Sequence, residues 1–275
     1  MDRITLLAPA LALLATFVIT FVVYCGLCIA GRPPKIADVK HNQFFGAFWA
    51  RFLLWLIGPV ERVLAGRVSP NLITAVSLLL CAFTGLTAAI GRLDAAIWLY
   101  VLAGILDVLD GRLARLGNKQ TAAGALFDSV SDRWGELFVF AGFAWYLHDS
   151  PWMLAVLLAI AGSMMVSYTR ARAEGLGLDA SGGVMQRAER IVLVAAGTLA
   201  AAWYDATAIL GGTMLLCGAA SSATAVNRWI NAARQLTRKS AEIIAAPEPE
   251  PGDIDPAPIY TALPKKLRES AELAL

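Results

Sequence analysis

Charge is what this chain has least of. Only 16% of its 275 residues are Asp, Glu, Lys or Arg, where a soluble domain carries about a quarter. The charges nearly cancel, at +2, which gives no electrostatic footprint for nucleic acid. Cysteine is scarce as well. Cys25, Cys28, Cys81 and Cys217 all lie in apolar runs. Cys25-Gly-Leu-Cys28 has a metal-like spacing, but no second ligand pair accompanies it. All four read as small buried apolar residues. The sequence contains no internal repeat. What remains is apolar: 58% of the residues are hydrophobic. That composition points to an all-α integral membrane protein, since helices satisfy their own backbone groups in lipid.

The hydrophobic runs predict seven spans. The first, Ile4 to Ile29, is too long for a signal-peptide core and reads as an anchor that is retained. The others are expected at about 71–90, 95–116, 124–147, 152–173, 188–205 and 208–233. This arrangement puts the span ends near 31–70, 117–123, 174–187 and 234–275 on one side. Of the 23 Lys and Arg, only Arg3 and Arg92 fall on or near the opposite side. By the positive-inside rule the first side is cytoplasmic. Between the anchor and the second span, Phe44, Phe45, Phe48, Trp49, Phe52, Leu53, Trp55, Leu56 and Ile57 recur at helical spacing, with Arg51, Glu61 and Arg62 nearby. This is the pattern of an amphipathic helix lying along the interface. Ser69 is placed to cap the next helix, with Pro70 in its first turn. The division expected is an anchor over 1–30, an interfacial segment over 31–68, a six-helix domain over 69–240 and a cytoplasmic, mostly disordered tail over 241–275. The tail is rich in Pro and acidic residues and lacks an apolar period.

Within this apolar frame, residues 107–132 read DVLDGRLARLGNKQTAAGALFDSVSD. Asp107 and Asp110 share one helix face, and so do Asp128 and Asp132. A short loop joins the two helices, so they are expected to be antiparallel neighbours with their acidic faces at one depth. Four ionised carboxylates in a partly dehydrated site repel one another. They can protonate, pair with Arg112, Arg115 and Arg133, or bind divalent cations. An all-oxygen set suits Mg²⁺, Mn²⁺ or Ca²⁺, and two such ions would offset four charges. Ionisable residues inside spans also serve proton relays and ion pathways. Gly111 and Ala114 keep the inner face bare, Gly124 opens the facing helix, and Arg115 can fork onto a phosphate. Together these residues describe a site that handles phosphate.

A second polar stretch, SYTRARAEGLGLDASGGVMQRAER, occupies 167–190. Arg170, Arg172, Arg187 and Arg190 sit at the cytoplasmic ends of two spans, and Arg228 lies near the end of the last. All five are arginine, the better fork for phosphate, and they converge on the side of the aspartates. Span ends carry positive charge in any membrane protein, but this pattern predicts an anion pocket, with Glu174 and Glu189 as ion-pair partners.

The string Asp107-x2-Asp110-Gly111-x2-Ala114-Arg115-x8-Gly124-x3-Asp128-x3-Asp132 resembles the signature of the CDP-alcohol phosphotransferases. The resemblance covers roughly residues 69–235 and implies a six-helix CDP-alcohol phosphotransferase core, to which the N-terminal helix is an addition. It implies a reaction in which a CDP-linked lipid donates its phosphatidyl group to an alcohol and CMP leaves. It further implies two divalent cations, Mg²⁺ or Mn²⁺, on Asp107, Asp110, Asp128 and Asp132, with Asp132 also the general base. Donor contacts carry over to Asn71, Thr74, Gly111, Arg115 and Thr121, although Asn71 at a helix start could serve only as a cap.

Residues 167–190 look like one subgroup, the phosphatidylinositol-phosphate synthases, which join CDP-diacylglycerol to inositol 1-phosphate. Arg170 stands where that pattern has Lys, Gln186 where it has Glu, and Ala188 where it has Pro. The resemblance implies that Ser167, Arg170, Arg172, Arg190 and Arg228 hold the acceptor phosphate, with Arg187 in the same cluster. A homodimer in the lipid bilayer is expected from the family alone. The competing readings are a phosphatidylglycerophosphate synthase using glycerol 3-phosphate, another acceptor of the same family, and a transporter that does no chemistry.

Overall fold

The structure is a computed structural model, described here over residues 3–34, 46–117, 120–180 and 182–245. It contains eight helices among the described residues and no strand. These are α1 (Arg3–Ile29), α2 (Gly46–Leu64), α3 (Pro70–Ala89), α4 (Leu93–Leu116), α5 (Ala122–Tyr146), α6 (Met153–Glu174), α7 (Arg187–Tyr204) and α8 (Thr207–Ala245). Phe44, Phe45, the loop residues Asn118 and Lys119, and the tail beyond Ala245 fall outside the described residues.

The chemistry of the ends explains the boundaries. Ser69 accepts a hydrogen bond from the Leu72 amide at 3.3 Å and Pro70 occupies the first turn, as the sequence predicts. Thr121 caps α5 in the same way, accepting from the Gly124 amide at 3.0 Å. The last helix runs well past the expected end near residue 233. Residues 234–245, RQLTRKSAEIIA, are mostly strong helix formers and contain neither Gly nor Pro, so nothing within them breaks α8.

Stretches of α1, α3, α6 and α8 are long and apolar enough to cross a membrane: Leu11–Ile29, Pro70–Ala89, Met153–Glu174 and Thr207–Lys239. The other expected spans, α4, α5 and α7, fall short of that standard, and they carry the buried Asp110, Arg112, Glu136, Glu189 and Arg190. Large apolar side chains such as Leu79, Phe83, Leu86, Leu126, Leu154 and Leu216 face outward from α3, α5, α6 and α8. That is the inverse of a soluble protein and suits contact with lipid. The molecule is an all-helical integral membrane protein.

Two close helix crossings shape the interior. On α3, a Cβ added at Gly85 would lie 2.2 Å from the Phe138 carbonyl oxygen, and one at Gly142 would lie 2.1 Å from that of Gly85. On α6, a Cβ at Gly162 would lie 2.8 Å from the Gly218 carbonyl oxygen of α8. Small residues let these backbones touch, which is how helices associate without a hydrophobic drive between them. The central core is built from Ala88, Tyr100, Val139, Phe140, Phe143, Val156, Val194, Leu210 and Met214, contributed by α3 through α8.

One expectation needs correction. The helices α4 and α5 are not packed neighbours. Each packs on α3, and among the described residues they make little direct contact with each other. The acidic faces meet across a gap rather than across a helix–helix seam. Groups as polar as these are better accommodated in such a gap than pressed together in a dry interface.

Candidate active site

The gap between α4 and α5 holds the aspartates. Oxygens of Asp107, Asp128 and Asp132 lie within 4.8 Å of one another, and all three residues are partly buried. Three carboxylates at this separation form an all-oxygen site of the kind that Mg²⁺, Mn²⁺ or Ca²⁺ takes. The donor set therefore fits a divalent cation.

Asp110 is placed differently. It is one turn along from Asp107, but only 3% exposed, and its Oδ2 accepts a hydrogen bond from Thr74 Oγ1 at 2.6 Å. It lies outside the three-carboxylate group. Thr74 is correspondingly buried, and its hydroxyl also lies 3.2 Å from the Pro70 carbonyl. Thr74, an expected donor contact, holds Asp110 in this structure. That bond ties the start of α3 to the acidic face of α4.

Two of the remaining expected donor contacts, Asn71 and Thr121, meet at the start of α5. A Cβ on Gly124 would sit 3.0 Å from Thr121 Oγ1 and 3.3 Å from Asn71 Oδ1. Asn71, Thr121 and Gly124 therefore form one corner, with Asn71 and Thr121 exposed. The cap of α3 is Ser69, which leaves the Asn71 side chain free of that duty. On α4, a Cβ on Gly111 would lie 3.4 Å from Arg115 Nη1, so the bare glycine leaves room for the guanidinium beside it.

Pairing of the aspartates with nearby arginines is one of the expected alternatives. Arg112 turns away to Glu61 on α2. Arg133 donates to its own helix at the Ser129 carbonyl and stands 4.0 Å from Asp132 Oδ2. The guanidinium that bridges the gap is Arg187, from the first turn of α7. Its Nη2 lies 3.1 Å from Asp107 Oδ1 and 3.2 Å from Asp132 Oδ1, while Nη1 donates to the Asp132 carbonyl at 2.6 Å. Arg187 thus belongs to the aspartate group itself. Its Nε is buried without a hydrogen-bond partner, so the fork is satisfied only on the side that faces the carboxylates.

Arg190 is anchored one turn further on. It is 2% exposed and makes a two-pronged pair with Glu136, at 2.5 and 2.9 Å. Glu136 follows Asp132 by four residues, so Asp128, Asp132 and Glu136 line one face of α5. The signal for Glu136 was present, since an ionisable residue inside a span is functional by default. Its partner could not be inferred, because Arg190 lies 54 residues away.

Arg228 holds the loop between α6 and α7. Its Nε donates to the Gly182 carbonyl at 2.7 Å and its Nη1 to the Val166 carbonyl at 2.8 Å. Three more side chains on the same side of α8 grip that loop. Thr224 accepts from the Met185 amide at 3.2 Å, Gln235 donates to the Asp179 carbonyl at 2.9 Å, and Lys239 to the Gly177 carbonyl at 3.1 Å. Arg228 is therefore a fastening for the loop that delivers Arg187 and Arg190. Arg170 and Arg172 are exposed at the end of α6, with Arg170 paired to Glu174 at 2.8 Å as expected, and Ser167 is half-buried one turn earlier.

The fastening predicts a sensitive position. Gly183 has φ of +134°, and a Cβ there would lie 2.5 Å from Thr224 Cγ2. Gly183→Ala is expected to cost about 1–3 kcal/mol of local strain and to loosen the loop. Steady-state kinetics should show a raised KM for the acceptor with a smaller change in the KM for the donor. Unchanged acceptor KM would mean that the loop does not shape the acceptor site.

Comparison with known proteins agrees with this geometry. The family model for CDP-alcohol phosphatidyltransferase matches residues 67–226. The archaetidylinositol phosphate synthase of Methanothermobacter thermautotrophicus is 36% identical over 181 residues, covering 64% of this chain and 88% of that protein. The phosphatidylinositol phosphate synthase of Mycobacteroides abscessus is 34% identical over 137 residues, covering 48% of this chain and 61% of that one. Among solved structures, the phosphatidylinositol phosphate synthase of Mycobacterium tuberculosis (PgsA1) with CDP-DAG bound is similar at a TM-score of 0.59 and 28% identity. That match covers 65% of this chain and 94% of the other. The same enzyme in complex with manganese and citrate is similar at a TM-score of 0.58 and 30% identity, covering 63% and 87%. The matched segment contains every aspartate of the gap and Arg187 and Arg190, and on these grounds the chain belongs to the CDP-alcohol phosphatidyltransferase family.

Proposed function

We propose that this protein transfers the phosphatidyl group of a CDP-linked lipid to inositol 1-phosphate, releasing CMP and forming phosphatidylinositol phosphate. The observation that carries the proposal is the meeting of the Asp107, Asp128 and Asp132 carboxylates with Arg187 in one gap, in a chain similar to inositol-phosphate-using synthases. Asp107, Asp128 and Asp132, with Asp110 beside them, would hold divalent cations, Mg²⁺ or Mn²⁺. Bound there, the cations would neutralise the donor diphosphate and the departing CMP. The corner of Asn71, Thr121 and Gly124, together with Gly111 and Arg115, would receive the nucleotide. Thr74 would act through Asp110.

Asp132 is the proposed base. The acceptor hydroxyl oxygen forms a bond to the lipid-bearing phosphorus, its proton passes to Asp132, and the bond from that phosphorus to the CMP oxygen breaks. Arg187 keeps Asp107 and Asp132 together and leaves positive charge beside the base. Arg170, Arg172 and Ser167, with Arg190 held by Glu136, would form the anion pocket for the acceptor phosphate. By the charge bias of the loops the site faces the cytoplasm. The proposed working unit is residues 69–240, with the N-terminal helices as additions and a homodimer as the assembly in the bilayer.

The test is an acceptor panel. Purified protein with CDP-diacylglycerol and Mg²⁺ is given inositol 1-phosphate, glycerol 3-phosphate or free inositol, and the lipid product is identified by mass spectrometry. The proposal expects product with inositol 1-phosphate. Product from glycerol 3-phosphate alone would make the enzyme a phosphatidylglycerophosphate synthase. Preference for free inositol would remove the phosphate pocket.

A further inference from the structure

The match to the family begins at residue 67, so α1 and α2 lie outside it. Yet α2 reaches the helix that carries Asp107 and Asp110. Glu61 in its last turn forms a two-pronged pair with Arg112 on α4, Nε to Oε2 at 2.7 Å and Nη2 to Oε1 at 3.2 Å. The two side chains are only 11% and 6% exposed. Arg112 directly follows Gly111, two residues after Asp110 and three before Arg115. Beside the pair, Leu64 and Val68 pack against Ile73, Leu109 and Leu113, an apolar cluster separate from the main core. The far end of α2 is seated on α1. Phe52 meets Phe17, Phe21 and Tyr24 at 5.1–5.4 Å between ring centroids, and Trp49 stacks on Phe21 at 4.8 Å. Contacts therefore run from the appended helices to the helix that carries Asp107, Asp110 and Arg115.

A buried ion pair is a poor device for stability, because well-packed apolar residues do as well or better in its place. It is a good device for geometry. The planar fork of an arginine fixes distance and angle together when both prongs are engaged. A pair at Arg112 fixes how α4 is rotated, and the rotation decides where the neighbouring carboxylates point.

We infer that Glu61 is a positioning residue for the active site, setting through Arg112 the rotation of α4 that aims Asp107 into the gap and seats Asp110 on Thr74. The inference rests on the metal-binding reading of the aspartates and is independent of which alcohol is the acceptor.

The experiment uses the full-length protein in detergent, with three readouts: Mn²⁺ affinity by electron paramagnetic resonance, kcat for CMP release, and thermal stability. Glu61→Gln is expected to weaken Mn²⁺ binding about tenfold, as loss of a residue that orients a metal ligand commonly does, and to lower kcat with little change in acceptor KM. The apolar pair Glu61→Leu with Arg112→Met separates positioning from mere support. It should restore thermal stability while Mn²⁺ affinity and kcat stay low, because packing returns and the angular constraint does not. Recovery of affinity and kcat together with stability would overturn the inference, and so would unchanged Mn²⁺ affinity in Glu61→Gln. A wild type that binds no Mn²⁺ would overturn it too. A wild type that binds Mn²⁺ but never releases CMP would defeat the proposed function, with the Mn²⁺ comparison still deciding the role of Glu61.

Discussion

Asp132→Asn should abolish turnover while leaving the donor bound. Amide for carboxylate keeps the shape and removes the acceptor of the hydroxyl proton. General-base catalysis accounts for about 10²–10⁴-fold in rate, and Asp132 also contributes an oxygen to the three-carboxylate group, so a fall of about 10³-fold or more is expected. The donor should still bind, because the corner of Asn71, Thr121 and Gly124 is untouched. Arg187 keeps its bond to the Asp132 backbone carbonyl, which the substitution preserves. The measurement pairs CMP release with equilibrium binding of CDP-diacylglycerol. Retained turnover would remove the assignment of Asp132 as base. Joint loss of turnover and donor binding would instead mark it as a structural support of the donor site.

The second large effect is expected at Glu136. It is 5% exposed and its partner Arg190 2%, so Glu136→Ala leaves the Arg190 guanidinium buried without its carboxylate. Breaking one side of a buried pair costs about 3–5 kcal/mol, because the remaining charge has no compensation. Thermal unfolding in detergent should show a Tm lower by on the order of 10 °C. Arg190 also donates to the Met185 carbonyl at the end of the loop before α7, so the acceptor KM should rise as well. The paired change Glu136→Gln with Arg190→Gln should recover much of the stability but not the acceptor KM. A Tm for Glu136→Ala equal to that of the wild type would show that Arg190 finds another partner at no cost.

These two residues also show what the sequence can and cannot disclose. The helices were legible because each is an apolar run between charged or Gly- and Pro-containing turns, and their ends fall where Ser69, Pro70 and Thr121 place them. The acidic faces were legible because helical spacing fixes which side chains share a face; all four aspartates are expected to converge, and Asp107, Asp128 and Asp132 do, while Asp110 is held on Thr74. Periodicity describes one helix at a time, however, and says nothing about which helix lies opposite. The pairs Glu61–Arg112, Glu136–Arg190 and Arg187 with Asp107 and Asp132 join residues more than fifty positions apart. Each depends on how α2, α5 and α7 are stacked, which only the assembled structure provides. The arginines of 167–190 illustrate the same limit. As a sequence they read as one anion pocket. In three dimensions Arg187 faces the aspartates and Arg190 is buried on Glu136, while Arg170 and Arg172 are left exposed.

The central claim is that an acceptor oxygen attacks the lipid phosphorus in the gap between α4 and α5 and that CMP leaves. It is tested most directly by labelling the attacking hydroxyl of inositol 1-phosphate with ¹⁸O and following the label by mass spectrometry during Mg²⁺-dependent turnover of CDP-diacylglycerol. The account predicts that the label appears in the new phosphodiester of the lipid product and that the CMP carries none. Label in CMP, or CMP released with no labelled lipid formed, would contradict it.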